Sequence, residues 1–250
     1  MKTEQNNDLN FKDIDYEAIS ERPNYMTNIY KKLIKKINIE SILDVGCGNG
    51  HFSQFFIDRK FTIDGVDGHK GALKKCQSLG FRNCFYTKNI DEDNLSQVNE
   101  TYDLIICKDL LEHLLYPDKL LKTLERKLKK NGHILIHVPN HFPLYFRFKF
   151  LFTGDLDTQK FFIDRKEWEN PHIKYFTHKG FLEMIHSCSL EKVEDFSSEF
   201  FYSAPYFVSS MKKIKIDKVL MKLSPTLFTT GFTILAKKIT KQNDPLPRAN

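Results

Sequence analysis

The sequence predicts an α/β chain: a doubly wound, mostly parallel seven-stranded sheet with irregular insertions after strands five and six. Three observations carry this. Strand-like apolar segments alternate with amphipathic helical ones from Tyr25 to Pro139, the pattern of parallel βαβ units. Tyr102–Cys107 is an almost unbroken apolar run, as a strand buried on both faces should be. Ser41–Val45 runs into Gly46-Cys47-Gly48-Asn49-Gly50, and a glycine turn between strand and helix is where open α/β sheets hold nucleotide-like ligands.

Taken in order, residues 1–15 are polar and expected to form a flexible arm, 16–240 the domain, and 241–250 a disordered tail. Tyr25, Ile29, Leu33 and Ile37 recur at four-residue steps with lysines between them, an amphipathic helix leading into strand one. After the glycine turn, Phe52, Phe55 and Phe56 mark a helix over His51–Arg59; the last two read as core and Phe52 as a candidate ligand contact. Strand two, Thr62–Val66, ends at Asp67-Gly68, and a helix follows to Leu79 with Gly80 as its C-cap. Strand three is Cys84–Tyr86. Pro117 opens a helix to about Lys130, and Asn131-Gly132 turns the chain into strand five, His133–Val138, stopped by Pro139. His141–Pro171 then shows no regular period. Thr177–Cys188 reads as a short amphipathic helix, and Leu190–Phe196 and Thr229–Ala236 as the last two strands. Segments 141–171 and 197–226 are expected to be insertions forming a pocket wall or lid.

Composition bounds the rest. A chain of 250 residues, 41% hydrophobic and 28% charged, can bury one sizeable core and has ordinary globular character. The start, MKTEQNNDLNFKDID, lacks the apolar stretch of a signal peptide, and no apolar run reaches the ~20 residues of a membrane span. Five cysteines without framework spacing read as free thiols in a reducing compartment, which points to the cytoplasm. The net charge of +6 is explained by pairs such as Lys31-Lys32, Lys35-Lys36 and Lys129-Lys130 on solvated faces, so nucleic acid is disfavoured as a partner.

A dinucleotide fingerprint requires G-x-G-x-x-G. Here His51 follows Gly50, and the third glycine falls one residue early. Asp67 ends strand two about twenty residues beyond Gly46, where a carboxylate can accept both hydroxyls of a ribose. A surface turn before Gly68 is the competing reading.

Asp44-Val-Gly-Cys-Gly-Asn-Gly50 and Gly65-Val-Asp67-Gly68 come first in the chain. Tyr102-Asp-Leu-Ile-Ile-Cys-Lys-Asp-Leu-Leu-Glu112-His113 and Leu128–Asn140 follow. Together and in this order they resemble the motifs of class I S-adenosylmethionine-dependent methyltransferases, over about residues 20–140. The resemblance implies a Rossmann-like methyltransferase fold with S-adenosylmethionine as cofactor. It places Gly46, Cys47, Gly48 and Gly50 under the methionine part, Asp44 beneath it reading the ammonium, and Phe52 beside it. Asp67 with Gly68 would hold the ribose, Asn89 and Ile90 (or the equally placed Asp91) the adenine, and Lys108 would face the methyl group. Arg22-Pro-Asn-Tyr-Met resembles the stretch of ubiquinone-type O-methyltransferases whose arginine grips the methionine carboxylate; a surface charge at a helix start is the other reading.

Asp109, Glu112 and His113 follow strand four at i, i+3 and i+4, a spacing that puts them on one face of a helical turn. Carboxylates with an imidazole are acceptable ligands for Mg²⁺ or Mn²⁺. Ubiquinone-type and small-RNA 2′-O-methyltransferases show a similar Glu-x-x-Glu-His, and His172 matches the later histidine of the latter, which makes Asp109, Glu112, His113 and His172 a candidate metal set. Without a metal, His113 is the candidate general base, with Asp109 and His172 beside it; His141, after strand five, is a third candidate base, for which an incidental loop histidine is the favoured reading. The stretch Phe142–Phe152, with Arg147 and Lys149 interleaved, suits a phosphorylated or nucleotide-linked acceptor, although core packing explains most of its rings. The expected reaction is O-methylation of a small metabolite such as a nucleotide-linked sugar, glycan precursor or quinone-type phenol, by a monomer or homodimer. The alternatives are an RNA 2′-O-methyltransferase and, from other classes, an NAD-dependent oxidoreductase or a non-catalytic cofactor-binding subunit.

Overall fold

The computed structural model describes residues 24–154, 171–199 and 216–239. The expectations for the N-terminal arm, for Arg22 and for the 241–250 tail lie outside them. At the centre, β1 (Ser41–Val45) pairs in parallel with β2 (Thr62–Asp67) on one side and β4 (Tyr102–Lys108) on the other. β3 (Asn83–Tyr86) extends the sheet beyond β2, and β5 (Leu128–Pro139) extends it beyond β4, both in parallel. Only β7 (Gly231–Lys238) runs the other way, antiparallel to both β5 and β6 (Leu190–Asp195). The strand order is β3-β2-β1-β4-β5-β7-β6, so the doubly wound, mostly parallel seven-stranded sheet is borne out.

Successive side chains of a strand face opposite sides, and here both sides are apolar. On one side Ile42, Leu104, Ile106 and Leu135 pack under α1 (Thr27–Lys36), α2 (Gln54–Ile57) and α3 (Lys70–Leu79). On the other, Leu43, Val45, Ile105 and Ile136 pack under α4 (Pro117–Lys127) and α6 (His178–Ser187). Phe55 and Phe56 are buried as expected, and Gly80 caps α3 in a left-handed conformation with φ 105°.

Four elements differ from expectation. The helix after Pro117 ends at Lys127 and β5 begins at Leu128, because Tyr102 pairs with Leu128 while Leu104 pairs with His133. The residues between bulge out of the ladder, and Gly132 is needed there since a Cβ would lie 2.6 Å from the Tyr102 carbonyl. Past the glycine turn, a 3₁₀ turn (His51–Ser53) and the one-turn α2 replace the longer helix; Lys60, at φ 64°, takes the chain out of it. The segment read as irregular after strand five contains α5 (Leu144–Thr153), which starts after Pro143 and ends at Gly154 with φ 75°. Its apolar residues go all round, which hides the helical period from the sequence. Segment 197–226 likewise holds α7 (Ile216–Leu223), and the short α8 (Pro225–Phe228) begins at its end. All five cysteines are free thiols, and among the described residues no helix is long and apolar enough to cross a membrane.

Candidate active site

The carboxyl ends of β1, β2, β4 and β5 open on one edge of the sheet, and the chemistry-bearing side chains gather there. The glycine turn is drawn tight by Gly46 and Cys47 N–H groups, which donate to the Val66 carbonyl at 2.8 and 3.1 Å. Gly46, Gly48 and Gly50 all have positive φ (76, 53 and 81°), which side chains disfavour. Asp67 lies against the turn: one carboxylate oxygen accepts from Gly48 N–H at 2.8 Å and the other from His69 N–H at 2.8 Å. Burial raises its pKa despite these donors. The turn's exposed backbone and the Asp67 carboxylate fit the sugar and methionine parts of an adenosyl cofactor.

Beneath the turn Asp44, 5% exposed, accepts from the Ser53 hydroxyl at 2.6 Å. Burial pushes its pKa up to about 6; the Ser53 bond opposes this and the Asp67 charge adds to it. The Cys47 thiol points away from the cleft. It sits 3.8 Å from the Cys76 sulfur, so Cys47 can serve a ligand at the turn only through its backbone, and the Cys107 thiol is buried in the opposite core. Asn89 caps its own turn by accepting from Asp91 N–H, with Ile90 half-buried beside it. Asp91 is fully engaged with the backbone N–H groups of Leu115 and Tyr116, both at 2.9 Å, which makes it a loop clamp.

At the end of β4 the expected four-residue metal set divides in two. Asp109 has left-handed backbone, φ 49°, and the following 3₁₀ turn is Leu111–His113. This breaks the helical spacing that would have put Asp109 beside Glu112 and His113. Its carboxylate instead pairs with Lys108, accepts from the Tyr25 hydroxyl at 3.2 Å and lies 3.3 Å from His137 Nε2. Burial works against the charge, but Lys108 and His137 outweigh it and hold Asp109 well below the usual carboxylate range. His137 reaches on to the Thr233 hydroxyl at 2.8 Å, and burial pulls its pKa down to about 4.

Glu112, His113 and His172 form the second group, with one ligand atom from each lying within 4.8 Å of the others. His172 arrives because Ile173 and Lys174 N–H groups donate to the Glu112 carbonyl at 2.9 and 3.0 Å. His113 Nδ1 lies 3.1 Å from the Pro171 carbonyl. A carbonyl only accepts, so Nδ1 carries a proton toward it, and Nε2 lies 3.9 Å from Glu112 Oε1. His172 Nε2 is 4.0 Å from the same oxygen, and its Nδ1 is 2.7 Å from His141 Nε2. Burial, with the neighbouring rings, lowers His172 to about 3 and His141 to about 4, so both are neutral. Burial and the Asp109 charge push Glu112 well above the carboxylate range. Glu112 is 1% exposed, and its Oε2 has no hydrogen-bond partner among the described residues.

The structure thus brings Glu112, His113 and His172 together, and Lys108 with Phe52, while Asp109 joins the other side. The sequence reading passes over His137, Tyr25 and Thr233 as site residues and ranks His141 as a base below an incidental loop histidine. A signal existed for His137, an imidazole inside the apolar run of β5 and in register with Thr233 of β7. His141 carried none, since its place depends on Asn140, whose side chain accepts from Phe142 N–H and donates to the Thr229 carbonyl.

Comparison with known proteins agrees with this geometry. The family described as a methyltransferase domain matches residues 17–194. A ubiquinone biosynthesis O-methyltransferase of Pseudomonas savastanoi pv. phaseolicola is 28% identical over 112 residues, covering 44% of this chain and 48% of that protein. The Vibrio atlanticus protein of the same name is 23% identical over 157 residues, covering 62% and 64%. The chain therefore spans about half, and at most about two thirds, of the length of these relatives. A solved S-adenosylmethionine-dependent methyltransferase from Archaeoglobus fulgidus shares the fold with a TM-score of 0.60 at 20% identity, over 89% of this chain and 98% of that one. The glycine turn, the carboxylate ending β2 and the sheet order thus find their family: the chain belongs to the methyltransferase-domain proteins, as a class I S-adenosylmethionine-dependent member.

Proposed function

We propose that the chain transfers a methyl group from S-adenosylmethionine to an oxygen of a small metabolite, in a cytoplasmic setting. The observation that carries the oxygen reading is the convergence of two imidazole Nε2 atoms and the Glu112 carboxyl beside the glycine turn. The cofactor, when bound, supplies a methyl group already activated on a sulfonium sulfur. The work left to the chain is alignment and proton removal, and alignment alone supplies up to ~7–11 kcal/mol.

In this reading Asp67 and Gly68 hold the ribose; Gly46, Cys47, Gly48 and Gly50 offer backbone to the methionine part above Asp44. Asn89 and Ile90 flank the adenine, and Arg22 grips the carboxylate. His113, oriented by its Nδ1 contact with the Pro171 carbonyl, takes the acceptor's hydroxyl proton on Nε2, with the Glu112 carboxyl 3.9 Å away. His172 Nε2 faces the same point. Arg147 and Lys149 on α5 suit a phosphorylated acceptor, such as a nucleotide-linked sugar or a glycan precursor; a quinone-type phenol would use the α5 rings instead.

A second reading is favoured by the buried Glu112 Oε2 that lacks a partner. Two imidazoles and a carboxylate fit a divalent cation, Mn²⁺ better than Mg²⁺. Glu112, His113 and His172 would hold it, and it would lower the acceptor hydroxyl's pKa. The test of the main reading is mass spectrometry of the protein with isotope-labelled cofactor and pooled metabolites. A labelled product lost in His113→Ala supports it, and the absence of any labelled product refutes it. Activity abolished by a chelator and restored by Mn²⁺ assigns the cluster to the cation; activity indifferent to chelation assigns His113 as base.

A further inference from the structure

Lys108 closes β4 with its ammonium turned back over the glycine turn instead of out into water. Its Nζ lies 3.6 Å from the centre of the Phe52 ring and 4.9 Å from that of Tyr25. The two rings are 5.1 Å apart and tilted by 55°. Asp109 pairs with the ammonium and accepts from the Tyr25 hydroxyl, so it joins one wall to the floor. The Lys108 side chain is 7% exposed. Two aromatic faces and a carboxylate therefore enclose one cation, the arrangement that recognises methylated cations. The chain fills it with its own lysine.

The sheet fixes where this cage stands. β2, β1 and β4 are neighbours, with Asp67 ending β2, the glycine turn topping β1 and the cage topping β4. Phe52 is supplied by the residues that leave the turn, two positions beyond Gly50. Two inter-strand spacings are about 10 Å. In an adenosyl sulfonium the sulfur is bonded to the ribose C5′, so a ligand held by its ribose at Asp67 and running along the turn carries its sulfur toward the cage.

Resting on the methyltransferase reading above, we propose that Tyr25, Phe52 and Asp109 form the subsite for the cofactor's sulfonium group, and that Lys108 is a built-in competitor for it. S-adenosylmethionine carries a positive sulfur. S-adenosylhomocysteine, which remains when the methyl has left, carries a neutral thioether and is otherwise the same molecule. A cage for a cation separates the two, whereas contacts to ribose, adenine, ammonium or carboxylate act on both alike. The competing ammonium takes back part of that preference, so the cage and Lys108 set the balance between donor and product from opposite sides.

The test is calorimetric binding of both ligands to the full chain and to Phe52→Leu and Lys108→Met. Phe52→Leu keeps apolar bulk and removes the π face; it should weaken S-adenosylmethionine by about three- to thirty-fold and leave S-adenosylhomocysteine in place. Lys108→Met removes a like charge a few ångströms from the sulfur and should tighten S-adenosylmethionine by about ten-fold, again without moving S-adenosylhomocysteine. The ratio of the two dissociation constants within one variant does not depend on how much of it is folded. Parallel changes for both ligands, or weaker S-adenosylmethionine binding in Lys108→Met, overturn the sulfonium subsite alone. If neither ligand binds the unaltered chain, the methyltransferase reading falls and takes this inference with it.

Discussion

Gly231, the first residue of β7, is the position where a single methyl group should do most harm near the site. A Cβ there would lie 2.4 Å from His137 Cε1 and 2.9 Å from its Nε2, well inside van der Waals contact. The ring has little room to give: it is 4% exposed, its Nδ1 is held by Thr233 at 2.8 Å, and its Nε2 faces Asp109. Overpacking of this kind costs about 1–3 kcal/mol. For a domain of this size that lowers the melting temperature by between about 2 and 12 °C. Urea unfolding of Gly231→Ala, His137→Ala and the double variant checks the cause. With the imidazole gone the added methyl has space, so in the His137→Ala background Gly231→Ala should cost less than about 0.5 kcal/mol. Equal costs of Gly231→Ala in both backgrounds would show that the strain lies elsewhere, for instance against the Val138 carbonyl 3.2 Å away.

Three further outcomes are expected. Asp67→Ala should weaken cofactor binding in calorimetry by at least about ten-fold, since it removes a charged acceptor and also releases the Gly48 and His69 N–H groups that shape the turn; unchanged affinity removes the ribose assignment. Asp44 has its pKa raised from 3.8 to about 6, so above pH 6 it is ionised in both folded and unfolded chains and the folded one bears a penalty of about 3 kcal/mol. Below about pH 4 both are protonated and the penalty is gone, so Asp44→Asn should be stabilising at pH 7.5 and neutral at pH 4 in chemical unfolding; a gain that does not vary with pH refutes the assignment. Asp91→Ala should cost about 1–3 kcal/mol of stability by stranding the Leu115 and Tyr116 N–H groups, with cofactor affinity unchanged; lost affinity would return Asp91 to the adenine site.

The sheet and the turn were legible because their signals are local. An apolar run, a glycine at positive φ and a carboxylate at a strand end each leave a mark within a few residues, and Ser41–Asp67 contains all three. The candidate site was half legible for a physical reason that Asp109 illustrates. The i, i+3, i+4 rule presumes a regular turn, and one left-handed residue sent the Asp109 carboxylate to Tyr25 and His137. Partners contributed by distant chain left no pattern: Tyr25 lies 84 positions from Asp109, and His141 lies 31 from His172. α5 escaped notice because apolar residues on every face erase the period by which a helix is read.

The two N–H groups that Ile173 and Lys174 lend to the Glu112 carbonyl have a consequence for how the cluster is held. They moor the returning chain directly to the 3₁₀ turn that carries Glu112 and His113, so the three clustered side chains are indexed to the sheet and not to the segment in between. On the other flank, the Asn140 side chain performs the same service for the chain ahead of β7, holding the Thr226 and Thr229 carbonyls. The backbone pairing, and not the side chains of the cluster, is what keeps Glu112, His113 and His172 in one place.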